Sequence, residues 1–259
     1  MDLGLKGKKA IICASSRGLG KACAMSLARE GVSITINARS RKPLKQTAEE
    51  IRDKTGSLVT AVVGDITTPE VQKAVLNACP NPDILINNPG CFPSGDFSDW
   101  NRKDYINAVI ANTITPIEMI EATINGMIER KFGRIVNITS RTTKTIVEGL
   151  GLSGAAKIGL IAFVADLSRQ SIRHNVTINN LLPGSFNTNT LQSFIKKRAN
   201  KTGQTQEFVR EKLITTNPAG RFGKPSEFGD LCAFLCSIQM GYVTGQNFLI
   251  DGGTYSGIF

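Results

Sequence analysis

The sequence predicts an α/β protein: one doubly wound parallel sheet in a single domain spanning residues 1–259. Three observations predict it. Short, continuous runs rich in β-branched residues recur along the chain, as strands covered on both faces require. Helical patterns fall between them, and that alternation implies βαβ units with right-handed crossovers. No linker, low-complexity tract or repeat beyond the βα unit divides the 259 residues, a length that suits one large domain with a well-buried core.

The strands are expected at KAIIC (9–13), SITIN (33–37), LVTAVV (58–63), DILIN (83–87), GRIVNI (133–138), VTINNLL (176–182) and NFLI (247–250). Helical stretches include LGKACAMSLAREG after the first strand and PSEFGDLCAFLCS before the last. Pro225 stands near the start of the second, where a missing N–H costs little.

Composition narrows the function. Hydrophobic residues make up 41 % and charged residues 20 %, the balance of an ordinary globular domain. No run approaches membrane-span length, and the first residues lack the order of a signal peptide, so no membrane association or export is expected. None of the six cysteines, Cys13, Cys23, Cys79, Cys91, Cys232 and Cys236, forms a Cys-x-x-Cys pair. Buried thiols in a reducing, cytoplasmic setting fit them best. The one histidine, His174, suits a helix end better than a metal site, and no metal is expected. The net charge of +10 admits anionic partners. Its basic runs, RSRKPLK (39–45) and KKRANK (196–201), carry no interleaved aromatics, so nucleic acid is not expected as a partner.

CASSRGLGKACA follows the first strand. Glycines at such a turn let the backbone approach a pyrophosphate, whose charge then meets a helix N-terminus. The spacing, with Ala14 followed by Gly18 and Gly20, differs from G-x-G-x-x-G and is a weak signal alone. No acid occurs between Ser33 and Lys45 to receive a ribose 2′-hydroxyl. Arg39, Ser40 and Arg41 stand there instead, with Arg17 in the glycine turn. Arginine suits a 2′-phosphate, so NADP(H) is favoured over NAD(H).

The chain resembles short-chain dehydrogenases/reductases along essentially its whole length. Cys13–Gly20 resembles T-G-x-x-x-G-x-G, with Cys13 for Thr and Ala14 for the first Gly, a mild departure. GDI (64–66), NNPG (87–90, with Pro89 for Ala), Asn112, Ser140 at the end of GRIVNITS, PGSFNT (183–188) and the C-terminal NPAGRFGKPSEFGDLCAFLCS and YVTGQNFLIDGG follow in family order. The resemblance is closest to bacterial 3-oxoacyl carrier-protein reductases. It implies a Rossmann-like sheet, a nicotinamide cofactor, hydride transfer to or from a carbonyl carbon of a small-molecule or acyl-thioester substrate, and a homotetramer or homodimer built through the long helices and last strand. Carried over by position, it implies cofactor contacts from Ala14, Ser16, Arg17, Gly18, Leu19, Gly20, Asp65, Ile66, Asn88, Gly90, Lys157, Pro183, Gly184 and Thr188, and catalytic positions at Asn112, Ser140, Ser153 and Lys157.

The departure that matters is Ser153. Family members place there the tyrosine whose phenol protonates the developing alkoxide, with the lysine four residues on depressing its pKa. No tyrosine lies between Ala111 and Pro218; the chain has only Tyr105, Tyr242 and Tyr255, none in a motif position. An aliphatic hydroxyl is a far weaker acid than a phenol. The expected function is therefore NADP(H)-dependent carbonyl reduction or oxidation with a non-standard proton donor. The alternatives are a dienoyl or enoyl thioester reductase, since members of that kind carry Ser-x-x-x-Lys, and a catalytically silent nucleotide-binding regulator. Residues 191–212 resemble the family's mobile lid. They carry six basic residues, Lys196, Lys197, Arg198, Lys201, Arg210 and Lys212, against Glu207 and Glu211. The excess can steer an anionic substrate. The plainer expectation is a solvated lid with Leu191, Phe194 and Ile195 facing the pocket.

Overall fold

A computed structural model of the chain describes residues 1–88, 90 and 95–258; Pro89 and Cys91 lie outside the described residues. Its seven strands form one parallel sheet in the order β3-β2-β1-β4-β5-β6-β7. They are β1 (Lys9–Ile12), β2 (Ser33–Ala38), β3 (Val59–Val63), β4 (Ile84–Asn87), β5 (Gly133–Ile138), β6 (Val176–Pro183) and β7 (Asn247–Ile250). All seven expected strands are present, and each boundary falls within one residue of its expected position. The helices are α1 (Gly18–Arg29), α2 (Arg41–Thr55), α3 (Pro69–Ala78), α4 (Arg102–Val109), α5 (Thr115–Glu129), α6 (Gly151–Ser171), α7 (Asn189–Thr202), α8 (Gln206–Thr215) and α9 (Pro225–Leu235).

Strand order reverses between β1 and β4, so a crevice opens there at the carboxyl edge, where parallel sheets bind ligands. Side chains alternate across the sheet. Ala10, Ile12, Ile84 and Ile86 pack with α1, α2 and α9 on one face. Ile11, Leu85, Ile135 and Ile178 pack with α3, α5 and α6 on the other. Burial on both faces explains why the strands read as continuous apolar runs. Gly229 lets α9 lie directly on α1: a Cβ there would stand 2.5 Å from the Ala22 carbonyl oxygen.

One polar row crosses this apolar sheet. The side-chain Nδ2 of Asn87 donates to Asn137 Oδ1 (2.9 Å), Asn137 Nδ2 to Asn180 Oδ1 (3.0 Å), and Asn180 Nδ2 to Asn247 Oδ1 (2.9 Å). The four are register partners on β4, β5, β6 and β7. Asparagine is unfavourable in strands, but here each amide finds its partner on the next strand.

Helix α6 corrects the expectation that no run approaches span length. With the turn that follows it, residues Gly151–His174 are long and apolar enough to cross a membrane by length and composition, with a mean hydropathy of 1.4 over the apolar window. In this fold the helix lies along the sheet through Leu160 and Val164, and Ile158 on its outer side stays exposed.

Candidate functional site

The β1–α1 turn builds the first wall of the crevice. Ala14 takes φ +45°, the left-handed region that favours glycine, at the position where the family pattern has glycine. The turn is kept, but at a backbone cost, so this departure is not mild. Gly20 is required by close approach: a Cβ would stand 2.6 Å from Asn88 Nδ2 and 2.8 Å from the Ala14 carbonyl oxygen. Asn88 Nδ2 donates to that same carbonyl at 2.9 Å and so ties β4 to the turn. Ser16 is half-buried, and its carbonyl accepts from Thr47 Oγ1 at 2.9 Å. Burial raises the Cys13 thiol to about 12, against a hydrogen bond from the Asn88 backbone that lowers it, so this side chain packs and does not react.

Arg17 stands at the N-terminus of α1 without a side-chain capping bond, and no acid occupies the first turn of that helix. Its first N–H groups and its positive dipole end therefore face the crevice. Arg17 is exposed, as are Arg39 and Ser40 at the end of β2. Leu19 is half-buried against the core on the β2 side. Across a groove of about 370 Å³, Arg17 and Gly18 face Thr188. Thr188 also caps α7, its Oγ1 accepting from Leu191 N at 3.4 Å. At the end of β3, Asp65 Oδ1 accepts from the Thr67 amide (3.1 Å) and hydroxyl (2.9 Å), and Ile66 is buried. Gly184, after Pro183 at the end of β6, packs against β7: a Cβ would meet Asp251 Cβ at 2.5 Å. Gly90 stands in the loop after β4 with open space where a Cβ would be.

The catalytic positions converge from three elements. Between α4 and α5 the chain makes a π-helical turn, Ile110–Ile114, which holds Asn112 wholly buried. Such turns recur at functional sites because they re-aim a side chain. Lys157 Nζ donates to Asn112 Oδ1 at 2.5 Å, with the lysine only 7 % exposed. Thr113 Oγ1 bonds the Ala156 carbonyl oxygen, and Gly159 lets α6 approach the π turn closely. Ser153 lies one helical turn before Lys157 on the same face. It is half-buried and makes no side-chain hydrogen bond among the described residues. Ser140 ends the β5 segment and caps the 3-10 turn Arg141–Thr143, accepting from Thr142 N at 3.2 Å. Gly154 packs against the Thr142 carbonyl oxygen, which brings the start of α6 onto the Ser140 turn.

Of the three tyrosines, Tyr105 lies on the outer side of α4, edge-on to Trp100. Tyr242 is 96 % exposed and precedes β7, at the amino edge of the sheet. Tyr255 follows β7, at the carboxyl edge, with Lys144 Nζ 5.8 Å from its ring centre. The lid differs from expectation. Ile195 and Ala199 of α7 pack on Val209 and Phe222, with Leu191 against them, so α7 and α8 hold a small core of their own. Three of its six basic residues are engaged: Lys201 pairs with Asp96 at 2.7 Å, Arg198 approaches Glu148 at 4.0 Å, and Arg210 lies 5.3 Å from the centre of the Phe222 ring. Sequence reasoning missed Arg141 and the Asn87–Asn247 row, because neither a lone arginine after a serine nor scattered asparagines carry a motif.

A parallel sheet with its glycine turn at the switch point, and a buried lysine and hydroxyls along the same edge, defines a dinucleotide-binding α/β protein of the Rossmann kind. Comparison narrows this class to the short-chain dehydrogenase/reductase family, to which the chain belongs: residues 13–255 match the family profile described as Enoyl-(Acyl carrier protein) reductase. The chain is 30 % identical to the Aquifex aeolicus 3-oxoacyl-acyl-carrier-protein reductase FabG, over 98 % of this chain and 100 % of that protein. It is 29 % identical to the NADPH-dependent reductase BacG of Bacillus subtilis, over 97 % and 99 %. Among solved structures, L-sorbose reductase from Gluconobacter frateurii, complexed with NADPH and L-sorbose, superposes with a TM-score of 0.92 at 26 % identity, covering 100 % of both chains.

Proposed function

We propose that the protein is an NADP(H)-dependent reductase of a carbonyl compound, working without the family's tyrosine. The observation that carries this reading is the Lys157–Asn112 bond, made by a buried lysine that follows Ser153 by one turn of α6, the helix whose start packs on the Ser140 turn. The crevice fits the cofactor: Gly20 admits close backbone approach, α1 presents an uncapped N-terminus to a pyrophosphate, and Arg17, Arg39 and Ser40 offer donors to a 2′-phosphate with no competing acid. Pro183, Gly184 and Thr188 close the opposite side, and Asp65 and Ile66 line the end of β3. BacG, named an NADPH-dependent reductase, and the NADPH complex of the sorbose reductase support the same cofactor.

When bound, the reduced nicotinamide supplies a hydride to the carbonyl carbon. Ser140 donates a hydrogen bond to the carbonyl oxygen. As charge develops there, the Lys157 ammonium stabilises it, and Asn112 fixes the lysine head in place. The Lys157 ammonium gives the oxygen its proton and is reprotonated from solvent, and the Ser153 hydroxyl hydrogen-bonds the same oxygen in place of the absent phenol. A missing general acid costs about 10²–10⁴ in rate, which binding and hydride delivery can absorb. The proposed setting is the cytoplasm, in keeping with five buried free thiols among the described residues, and the proposed assembly is a homodimer or homotetramer.

NADPH oxidation is to be followed across ketones, 3-oxoacyl thioesters and enoyl thioesters, in the wild type and in Ser153→Tyr. The expected result is slow ketone or oxoacyl reduction that rises about 10²-fold or more in Ser153→Tyr, the lower part of the range for a restored acid. Faster turnover of enoyl thioesters, unimproved by the phenol, would transfer the protein to the Ser-x-x-x-Lys alternative favoured by the family profile's description. No turnover of any class by either protein would reject the reading.

A further inference from the structure

Arg141 follows Ser140 directly and opens the 3-10 turn at the site. It is half-buried, yet among the described residues its guanidinium makes no hydrogen bond and no ion pair. The other well-buried arginine does the opposite. Arg134 donates to the carbonyl oxygens of Ser237, Gly133 and Asn175. Five N–H donors drawn partly out of water without acceptors are an unspent binding capacity. Burial lowers the Arg141 pKa, partly offset by the charge of Asp251.

Asp251 acts on Arg141 through its charge but forms no hydrogen bond or ion pair with it among the described residues. One carboxylate oxygen accepts from Gly253 N at 3.0 Å and the other from Tyr255 N at 2.8 Å, so both hold the turn after β7. Two further features surround the same place. Thr142 Oγ1 is buried without a partner. Lys144, three residues beyond Arg141, is exposed and holds its ammonium over the Tyr255 ring. Between Ser140 and the end of β7 two cations, Arg141 and Lys144, stand with Asp251, whose oxygens also accept from two backbone N–H groups.

We infer that Arg141 is a specificity-determining residue that binds a carboxylate carried by the substrate, so that the preferred substrates are small oxo acids. The inference rests on the reductase reading above. A planar guanidinium matches a carboxylate in bidentate geometry. In this reading Ser140 takes the carbonyl and Arg141, next in the chain, takes the anion, so the two groups of a short molecule would be recognised by adjacent residues.

The test uses the protein with NADPH and matched pairs in which a methyl ester removes the charge: acetoacetate against methyl acetoacetate, and 4-oxopentanoate against its methyl ester. The readout is the acid-to-ester ratio of kcat/KM in the wild type, Arg141→Met and Arg141→Lys. One charge-assisted pair predicts a wild-type preference for the acid of about tenfold or more, lost in Arg141→Met and partly regained in Arg141→Lys. An acid-to-ester ratio near one in the wild type, or unchanged in Arg141→Met, overturns the inference. Calorimetric binding of each compound to the NADPH-loaded proteins runs in parallel. If no ketone is turned over, the reductase reading fails separately. The inference is then decided by whether the wild type binds acid more tightly than ester and Arg141→Met does not. Should Arg141→Met not fold, Arg141→Gln takes its place, with NADPH binding as the check on folding.

Discussion

Ala14 shows how much a single backbone angle can carry. The family pattern has glycine there, and the chain keeps the same turn with φ +45° on a residue that has a Cβ. A left-handed conformation costs a non-glycine residue roughly 1–2 kcal/mol. Glycine would remove that cost but lose some of it again to the greater freedom of the unfolded chain, worth about 0.4–1 kcal/mol. Ala14→Gly is therefore expected to stabilise the protein by about 0.5–1 kcal/mol, the difference of those two effects. Urea unfolding at equilibrium checks this. Equal or lower stability of the variant would show that the turn is unstrained. The angle was not legible beforehand, because the sequence showed only a small residue where another small residue was expected. Ser153 was legible for the opposite reason. Its spacing from Ser140 and Lys157 fixed its place on α6, and the structure puts it one turn from the lysine head.

Among the elements, strands were the most readable. The central strands are buried on both faces, so they appear as largely apolar runs whose limits turn residues mark, while β3 and β7 at the sheet edges are mostly exposed or half-buried. The π turn at Asn112 was unreadable, because one inserted residue leaves no trace in a helical pattern. The lid was half-readable: its amphipathic period was plain, but not that Ile195 and Ala199 face Val209 and Phe222 instead of the pocket. The asparagine row is the clearest case of register supplying what composition hides. It joins β4, β5, β6 and β7 just below the positions that carry Asn88, Ser140 and Pro183. Asn137 is wholly buried, donates to Asn180 and accepts from Asn87. Asn137→Leu would orphan Asn180 Oδ1 and leave Asn87 Nδ2 only its 3.3 Å bond to the Pro116 carbonyl oxygen. Each buried group left unsatisfied costs about 1–3 kcal/mol. We expect Asn137→Leu to lower stability by about 2–4 kcal/mol on that basis, and Asn247→Ala, at the exposed end of the row, by less than about 1 kcal/mol. Similar losses for both variants would show that the row is not a connected device.

Among the described residues, a run of exposed apolar side chains lies beside the site. Tyr105, Ile106, Val109, Ile110 and Ile114 are all exposed along α4 and the π turn, with Ile158 of α6, half exposed, on the neighbouring helix. Positions 106, 110 and 114 repeat at helical spacing and form a stripe. Exposed apolar patches of this extent mark interaction surfaces on proteins of ordinary composition. A helix pair related to a second copy by a two-fold axis would bury the stripe against itself. The consequence reaches the site, because the π turn in that stripe also holds Asn112, and α6 also carries Lys157. Association would brace both helices and hold the Lys157–Asn112 bond. Light scattering of the purified protein at micromolar concentration is expected to give a dimer or tetramer. Ile106→Glu combined with Ile110→Glu is expected to give the monomer, because like charges brought together by the two-fold axis repel. The monomer should still bind NADPH through the glycine turn, which lies away from this surface, but with turnover reduced about tenfold or more, as a misplaced catalytic group would produce. A monomeric wild type, or a double variant that dissociates with full turnover, would separate the apolar stripe from the chemistry.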